Sequence, residues 1–303
     1  MERQVLVPLD GSALAEQALP HALVLARATG SAVILLQAVP PPILALSMML
    51  SALHAPTLAL DQWAAEQAEA RAYLTALADR LETPDLVIRT VVIAGDAATA
   101  IVGWADQDPP QRVIAMTTHG RSGVSRWVFG SVAEKVLQAA PVPLLVVRAT
   151  PEAPGSLRPA RAYQTIVVPL DGSRLAEHAL DQAVPLAAFT GADLHLVGVV
   201  VPPHAAGSAP PEPGAVPDEA ALAPMHDYLT RTAEGWLVPP YRVVAHVLQG
   251  APAESILGLS EAAGADLIIM STHGRGGLQR LWLGSVALKV TRGAACPVLL
   301  VRA

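Results

Sequence analysis

The chain is written twice. VPLDGS stands at residues 7–12 and again at 168–173, an offset of 171 − 10 = 161 between the two aspartates. THGR stands at 118–121 and 272–275, an offset of 274 − 120 = 154 between its glycines, and GSVA returns at that same offset, from 130–133 to 284–287. The copies also close alike, PLLVVR at 143–148 against PVLLVR at 297–302. Motifs kept in order, with a drift of only 161 − 154 = 7 residues, mark an internal duplication. Whatever one half folds into, the other must fold into as well. At 303 residues in total, each copy is long enough to bury a core of its own. A Pro- and Ala-rich stretch between the copies reads as a linker, so the expected organisation is a domain over 1–149, a linker over 150–162 and a second domain over 163–303. Pro-rich stretches at 40–56 and 202–217 read as long loops or lids.

Each copy alternates strand and helix patterns. In copy one, apolar runs at 4–8, 32–39, 86–93, 112–116 and 144–147 read as strands. Helical patterns at 12–29, 61–81, 97–105 and 131–139 lie between them, and Pro20 predicts a kink or a displaced start in the first. Copy two repeats the plan with strands at 165–169, 194–200, 241–248, 266–270 and 298–301. Continuous Val/Ile/Leu strands separated by helices indicate parallel sheets covered on both faces. The expected fold is α/β, two tandem doubly wound five-stranded parallel-sheet domains with a flavodoxin-like strand order. In such folds ligands bind beyond the carboxyl ends of the strands, where VPLDGS and THGR both fall.

Composition narrows the classes of function. The chain is 52% hydrophobic and 15% charged, too apolar for disorder. A net charge of −6 gives no electrostatic footprint for nucleic acid or an anionic membrane. The lone Cys296 allows no internal disulfide. The N-terminus lacks the pattern of a secretory signal, and Pro40, Pro41 and Pro42 break the most apolar stretch, so a soluble, cytoplasmic protein is expected.

The repeated segments carry the chemistry. Gly120, Gly123 and Gly130 in copy one, and Gly274, Gly277 and Gly284 in copy two, let backbone approach a ligand closely. Ser131 and Ser285 open helices whose free N–H groups suit phosphate. The plainer reading is that these glycines only turn and pack the chain. Asp10 and Asp171 end the first strand of each copy, where a carboxylate can take a ribose or a phosphate-bound cation, or can support a helix cap near Ser12 and Ser173. His119 and His273 suit either loop shaping or proton transfer, and no serine elbow or metal-ligand spacing accompanies them. Arg121, Arg126, Arg275 and Arg280 could meet outer phosphates, while Trp127 and Trp282 read as anchors. Neither a Walker P-loop nor a Rossmann G-x-G-x-x-G fingerprint is present.

With VPLDGS after the first strand, a G-x2-G-x9-G-[ST] loop and the PVPLLVVR and CPVLLVR closing strands, the chain resembles the universal stress protein family in its tandem form. That resemblance implies binding of ATP or another adenine nucleotide, with Mg²⁺ carried by the phosphates. It places Pro8, Asp10, Ala38, Met116, Thr117, Gly120, Gly123, Gly130, Ser131 and Val132 at the site of copy one. In copy two it places Pro169, Asp171, Val199, Met270, Ser271, Gly274, Gly277, Gly284, Ser285 and Val286 there. The motif's first glycine is replaced by Thr117 and by Ser271. The resemblance also implies pairing of domains through their last strands, within the chain or in a homodimer, and a regulatory role. A slow ATPase or nucleotidyl transferase, and a nucleotide-free scaffold, are the alternatives.

Overall fold

The computed structural model describes residues 2–42, 57–118, 129–149, 163–202, 219–236, 240–272 and 283–302. The chain divides into two compact units, Met1–Ala160 and Arg161–Ala303. The linker expected over 150–162 and nearly all of both Pro-rich stretches lie outside the described residues.

Unit 1 runs β1 (Gln4–Pro8), α1 (Ala13–Glu16), α2 (Leu19–Thr29), β2 (Ala32–Val39), α3 (Thr57–Leu81), β3 (Ile88–Ala94), α4 (Ala97–Asp106), β4 (Arg112–Thr117), α5 (Ser131–Ala139) and β5 (Leu144–Val147). Its strands order as β3-β2-β1-β4-β5, each pair parallel. Unit 2 repeats this with β6 (Thr165–Pro169), α6 (Arg174–Glu177), α7 (Leu180–Thr190), β7 (Asp193–Val200), α8 (Glu219–Trp236), β8 (Val243–Gln249), α9 (Pro252–Ala262), β9 (Leu267–Ser271), α10 (Ser285–Gly293) and β10 (Val298–Val301). Its order is β8-β7-β6-β9-β10, again parallel throughout.

The doubly wound five-stranded parallel sheet expected from the sequence is therefore present in each unit. The order differs from the flavodoxin-like 2-1-3-4-5, because here the chain winds outward through its first three strands before crossing to the fourth. Strand and helix periodicity are the same in both orders, so the pattern of residues does not separate them. The consequence is local: the switch point lies between the first and fourth strands, β1 and β4 or β6 and β9.

Burial explains the unbroken apolar runs. Val5, Leu6 and Val7 in β1 are fully covered, as are Val167 and Val168 in β6, so alternation is lost where both faces are packed. The end strands β3 and β8 share one half-open pattern, as expected for strands with a neighbour on one side only. Pro20 acts as anticipated: the first helical pattern divides into α1 and α2, and Pro20 sits in the first turn of α2, where no N–H is needed.

Unit 2 contains one polar pair that unit 1 lacks. His195 on β7 and His246 on β8 meet through Nδ1 and Nε2 at 3.0 Å, with ring centroids 5.0 Å apart and planes 19° from parallel. One imidazole must donate and the other accept, so the pair is satisfied when neutral. The strand registers put Ile34 and Val91 at the same places in unit 1. Burial depresses both histidines below their ordinary range; Asp193, itself held by Arg242, opposes the shift at His195, and His195 adds to it at His246. A depressed folded pKa means the folded chain binds fewer protons than the unfolded one. Stability from this pair is therefore full above about pH 6.5 and is lost as the pH falls through the folded values. Urea titrations across pH 7.5 to 5 should show a decline that H195I/H246V lacks; parallel declines would exclude the pair as its source.

Candidate functional site

The first-strand turn is built identically in both units. Gly11 and Gly172 take φ of 80° and 83°, a left-handed conformation that bends the chain out of the strand. Ser12 then caps α1, its Oγ accepting from the Ala15 N–H at 3.2 Å. Asp10 holds that serine, its Oδ1 accepting from the Ser12 N–H at 3.0 Å and from the Ser12 hydroxyl at 2.6 Å. In unit 2 the corresponding distances are 3.2 Å for Ser173 to Ala176, and 2.9 and 2.6 Å for Ser173 to Asp171. The two sequence readings of the aspartate thus separate: serine makes the cap, and the carboxylate fixes the serine.

The second loop leaves the fourth strand of each unit and returns to where it began. The Thr118 N–H donates to the Val147 carbonyl at 2.9 Å, and the Gly130 N–H donates back to the Thr118 carbonyl at 2.9 Å. Thr272, Val301 and Gly284 repeat this at 3.0 and 2.9 Å. Gly130 and Gly284 are the N-caps of α5 and α10 and provide no capping side chain, with Ser131 and Ser285 exposed beside them. A Cβ on Gly284 would stand 2.9 Å from the Thr272 carbonyl oxygen, so this position is glycine for a reason internal to the chain. Thr117 and Ser271, in place of the motif's first glycine, are buried at the ends of β4 and β9. Gly120, Gly123, Gly274 and Gly277 lie outside the described residues, as do His119, His273, Arg121, Arg126, Arg275, Arg280, Trp127 and Trp282.

In unit 2 these pieces converge on a cleft of about 760 Å³ at the carboxyl ends of β6, β7 and β9. Pro169, Asp171, Val199, Met270, Ser271, Gly284, Ser285 and Val286 all line it. Every described residue expected at the site of copy two is therefore on one surface. In unit 1, Pro8, Asp10, Ala38, Met116, Thr117, Gly130, Ser131 and Val132 hold the equivalent strand, turn and helix positions.

Sequence reasoning missed the outer wall, formed by Met225 and Tyr228 of α8 and by Pro252 and Ile256 of α9. Tyr228 donates to Glu177 Oε1 at 3.0 Å, and Tyr73 of α3 donates to Glu16 at 2.9 Å. Each bond ties the long helix to the helix after the aspartate turn. Burial first, and the carboxylate second, hold both phenols above their ordinary range, so they stay donors throughout the working pH range. The repeat carried the signal: LAE follows both capping serines, and the tyrosines recur at an offset of 228 − 73 = 155. Tyr228→Phe should cost about 1 kcal/mol in chemical denaturation; no change would mean that Glu177 finds an equal partner in water.

A doubly wound sheet with a cleft at its switch point, encoded twice in one chain, defines a tandem α/β protein of the ligand-cleft type. The pattern of the Universal stress protein family matches residues 1–148 and again 162–302. A universal stress protein of Methanocaldococcus jannaschii is 36% identical over 145 residues, 46% of this chain and 82% of its own. Another, from Mycolicibacterium smegmatis, is 26% identical over 223 residues, 73% of this chain and 71% of its own. The crystal structure of a universal stress protein from Archaeoglobus fulgidus superposes with a TM-score of 0.69 at 22% identity, covering 99% of this chain and 98% of that one. The chain belongs to the universal stress protein family.

Proposed function

We propose that the chain binds ATP or a related adenine nucleotide, with Mg²⁺ carried by the phosphates, and that occupancy regulates a stress response by shifting the chain's conformation and with it a partner surface. The observation that carries this reading is the convergence of Asp171, Ser271, Gly284 and Ser285 on one 760 Å³ cleft. That volume falls within the range of sites for small molecules and cofactors, and the lining is mostly apolar, as a nucleobase requires. The start of α10, with no capping side chain, offers N–H groups and the positive end of a dipole to phosphate. Asp171 lines the same cleft and supplies a carboxylate for ribose hydroxyls or for a phosphate-bound cation. The reading keeps the two-domain organisation joined over 150–162, and pairing through last strands, within the chain or between copies, as parts of the proposal.

Native mass spectrometry of the purified full chain tests the proposal. An added mass that denaturation releases as an adenine nucleotide is the expected result. Protein that stays free of ligand when mixed with ATP and Mg²⁺ would favour the scaffold reading. No helix among the described residues is long and apolar enough to cross a membrane.

A further inference from the structure

The histidine pair of unit 2 stands where unit 1 has Ile34 and Val91, so two apolar positions that face each other across neighbouring strands have both become imidazoles. Alternation puts His195 on the same face of β7 as Val197, and His246 on the same face of β8 as Val244 and Leu248. β8 ends the strand order of unit 2, both imidazoles are only half-buried, and Val244 beside them is exposed. Solvent therefore reaches the pair. Neither histidine lines the cleft. An N–H···N bond between the rings satisfies the two facing nitrogens, but Ile and Val fill the same places in unit 1 with no polar group to desolvate. The hydrogen bond alone gives no reason for the exchange.

The spacing of the nitrogens supplies one. His195 Nδ1 and His246 Nε2 are 3.0 Å apart. An ion at the ordinary metal–imidazole distance of about 2.0–2.1 Å from each would see them at about 95°, close to the angle between neighbouring ligands in tetragonal coordination. A tetrahedral ion would need the nitrogens about 3.3 Å apart. Turning each ring about its Cβ–Cγ bond, a soft torsion, swings the lone pairs from each other onto the ion. The ring that donates in the hydrogen bond takes its other tautomer, so both imidazoles stay neutral and each gives one lone pair. The Asp193 carboxylate nearby is engaged by Arg242, and among the described residues no group of three or more His, Cys, Asp or Glu could hold an ion. Water must complete the coordination. We propose that His195 and His246 chelate a divalent transition-metal ion on the open face of the unit 2 sheet, Cu²⁺ most tightly. Imidazole suits late first-row ions, affinity peaks at Cu²⁺, and Mg²⁺ prefers oxygen. The site is independent of the nucleotide reading and of any Mg²⁺ that phosphates carry.

The test titrates the full chain, free of any affinity tag, with CuCl₂ and follows it by calorimetry and electron paramagnetic resonance. The first equivalent should show a tetragonal spectrum with two imidazole nitrogens coordinated. H195I/H246V, which installs the residues of unit 1, should lose that equivalent. Each single replacement should weaken it by about 100-fold or more, because losing even an outer partner of a ligand costs about 10–100-fold. CuCl₂ should also raise the urea midpoint of the parent and leave that of the double variant where it was, while MgCl₂ moves neither. A first equivalent bound through one nitrogen or none would overturn the inference, and that reading needs only the parent, whether or not a variant folds. Uptake retained in full by H195I/H246V, or by either single variant, would overturn it as well. So would Zn²⁺ bound more tightly than Cu²⁺, since the 3.0 Å spacing would then not be what selects the ion.

Discussion

Replacing Ser285 by glutamate should weaken ATP binding in unit 2 by about 100-fold while leaving the fold at least as stable as before. The two effects have opposite signs because the same dipole serves both groups. A carboxylate in the first turn of a helix is favourable by about 0.3–1 kcal/mol, and α10 has no acidic residue in its first turn. A phosphate in the cleft would compete for the same N–H groups and meet a like charge. At about 4 Å and an effective dielectric near 20 that repulsion approaches 4 kcal/mol, more than the roughly 2.7 kcal/mol a 100-fold loss requires. Ser131→Glu should act likewise in unit 1, with a smaller gain in stability because Glu134 already stands in the first turn of α5. Calorimetry and urea denaturation on the same preparations separate the two quantities. A glutamate variant that binds ATP as tightly as the parent would remove α10 from the phosphate site.

Gly284→Val should behave differently, destabilising unit 2 by about 2–3 kcal/mol with or without ligand. Its Cβ would press at 2.9 Å on the Thr272 carbonyl, the same oxygen that accepts the Gly284 N–H. Neither side of that contact is a flexible side chain, so the loop closure itself must open. Hydrogen exchange should show earlier opening around β9 and α10 than around β6. Unchanged stability would mean that the closure is dispensable and that Gly284 answers to the ligand instead. The glycine shared by both copies thus has a structural explanation in unit 2, and loss of binding in Gly284→Val would not by itself locate a phosphate. Ser285, exposed and one residue further on, is the cleaner probe.

Much of this architecture was legible because the chain states it twice. Strands at 4–8, 32–39, 144–147, 165–169 and 298–301 fall where the apolar runs place them, since runs buried on both faces leave little choice. Their lateral order was not legible: which strand neighbours which is decided by crossovers between runs that look alike. The drift between copies shows what the offsets can and cannot give. Of the seven residues, 161 − 155 = 6 fall between β2 and the tyrosine of the long helix, and 155 − 154 = 1 between Gly95 and Met116.

At the site, residues joined by short-range geometry were found, and residues joined only by register were not. Asp10 and Ser12 are two positions apart, so their partnership could be argued from turn chemistry alone. Gly198 and Met225 become neighbours only when a helix lies down on a strand. No periodicity announces such a pair. Tyr73 and Tyr228 fall between these cases: their partners are distant, but duplication repeats the bond and makes it visible on a second reading.

The central claim is that the cleft holds an adenine nucleotide, and titration of the full chain with MgATP by isothermal calorimetry tests it most directly. Saturable binding that Ser131→Glu with Ser285→Glu abolishes, in protein whose urea unfolding is unchanged or improved, is the predicted result. The absence of heat at millimolar ATP, or binding that survives both glutamates, would contradict it.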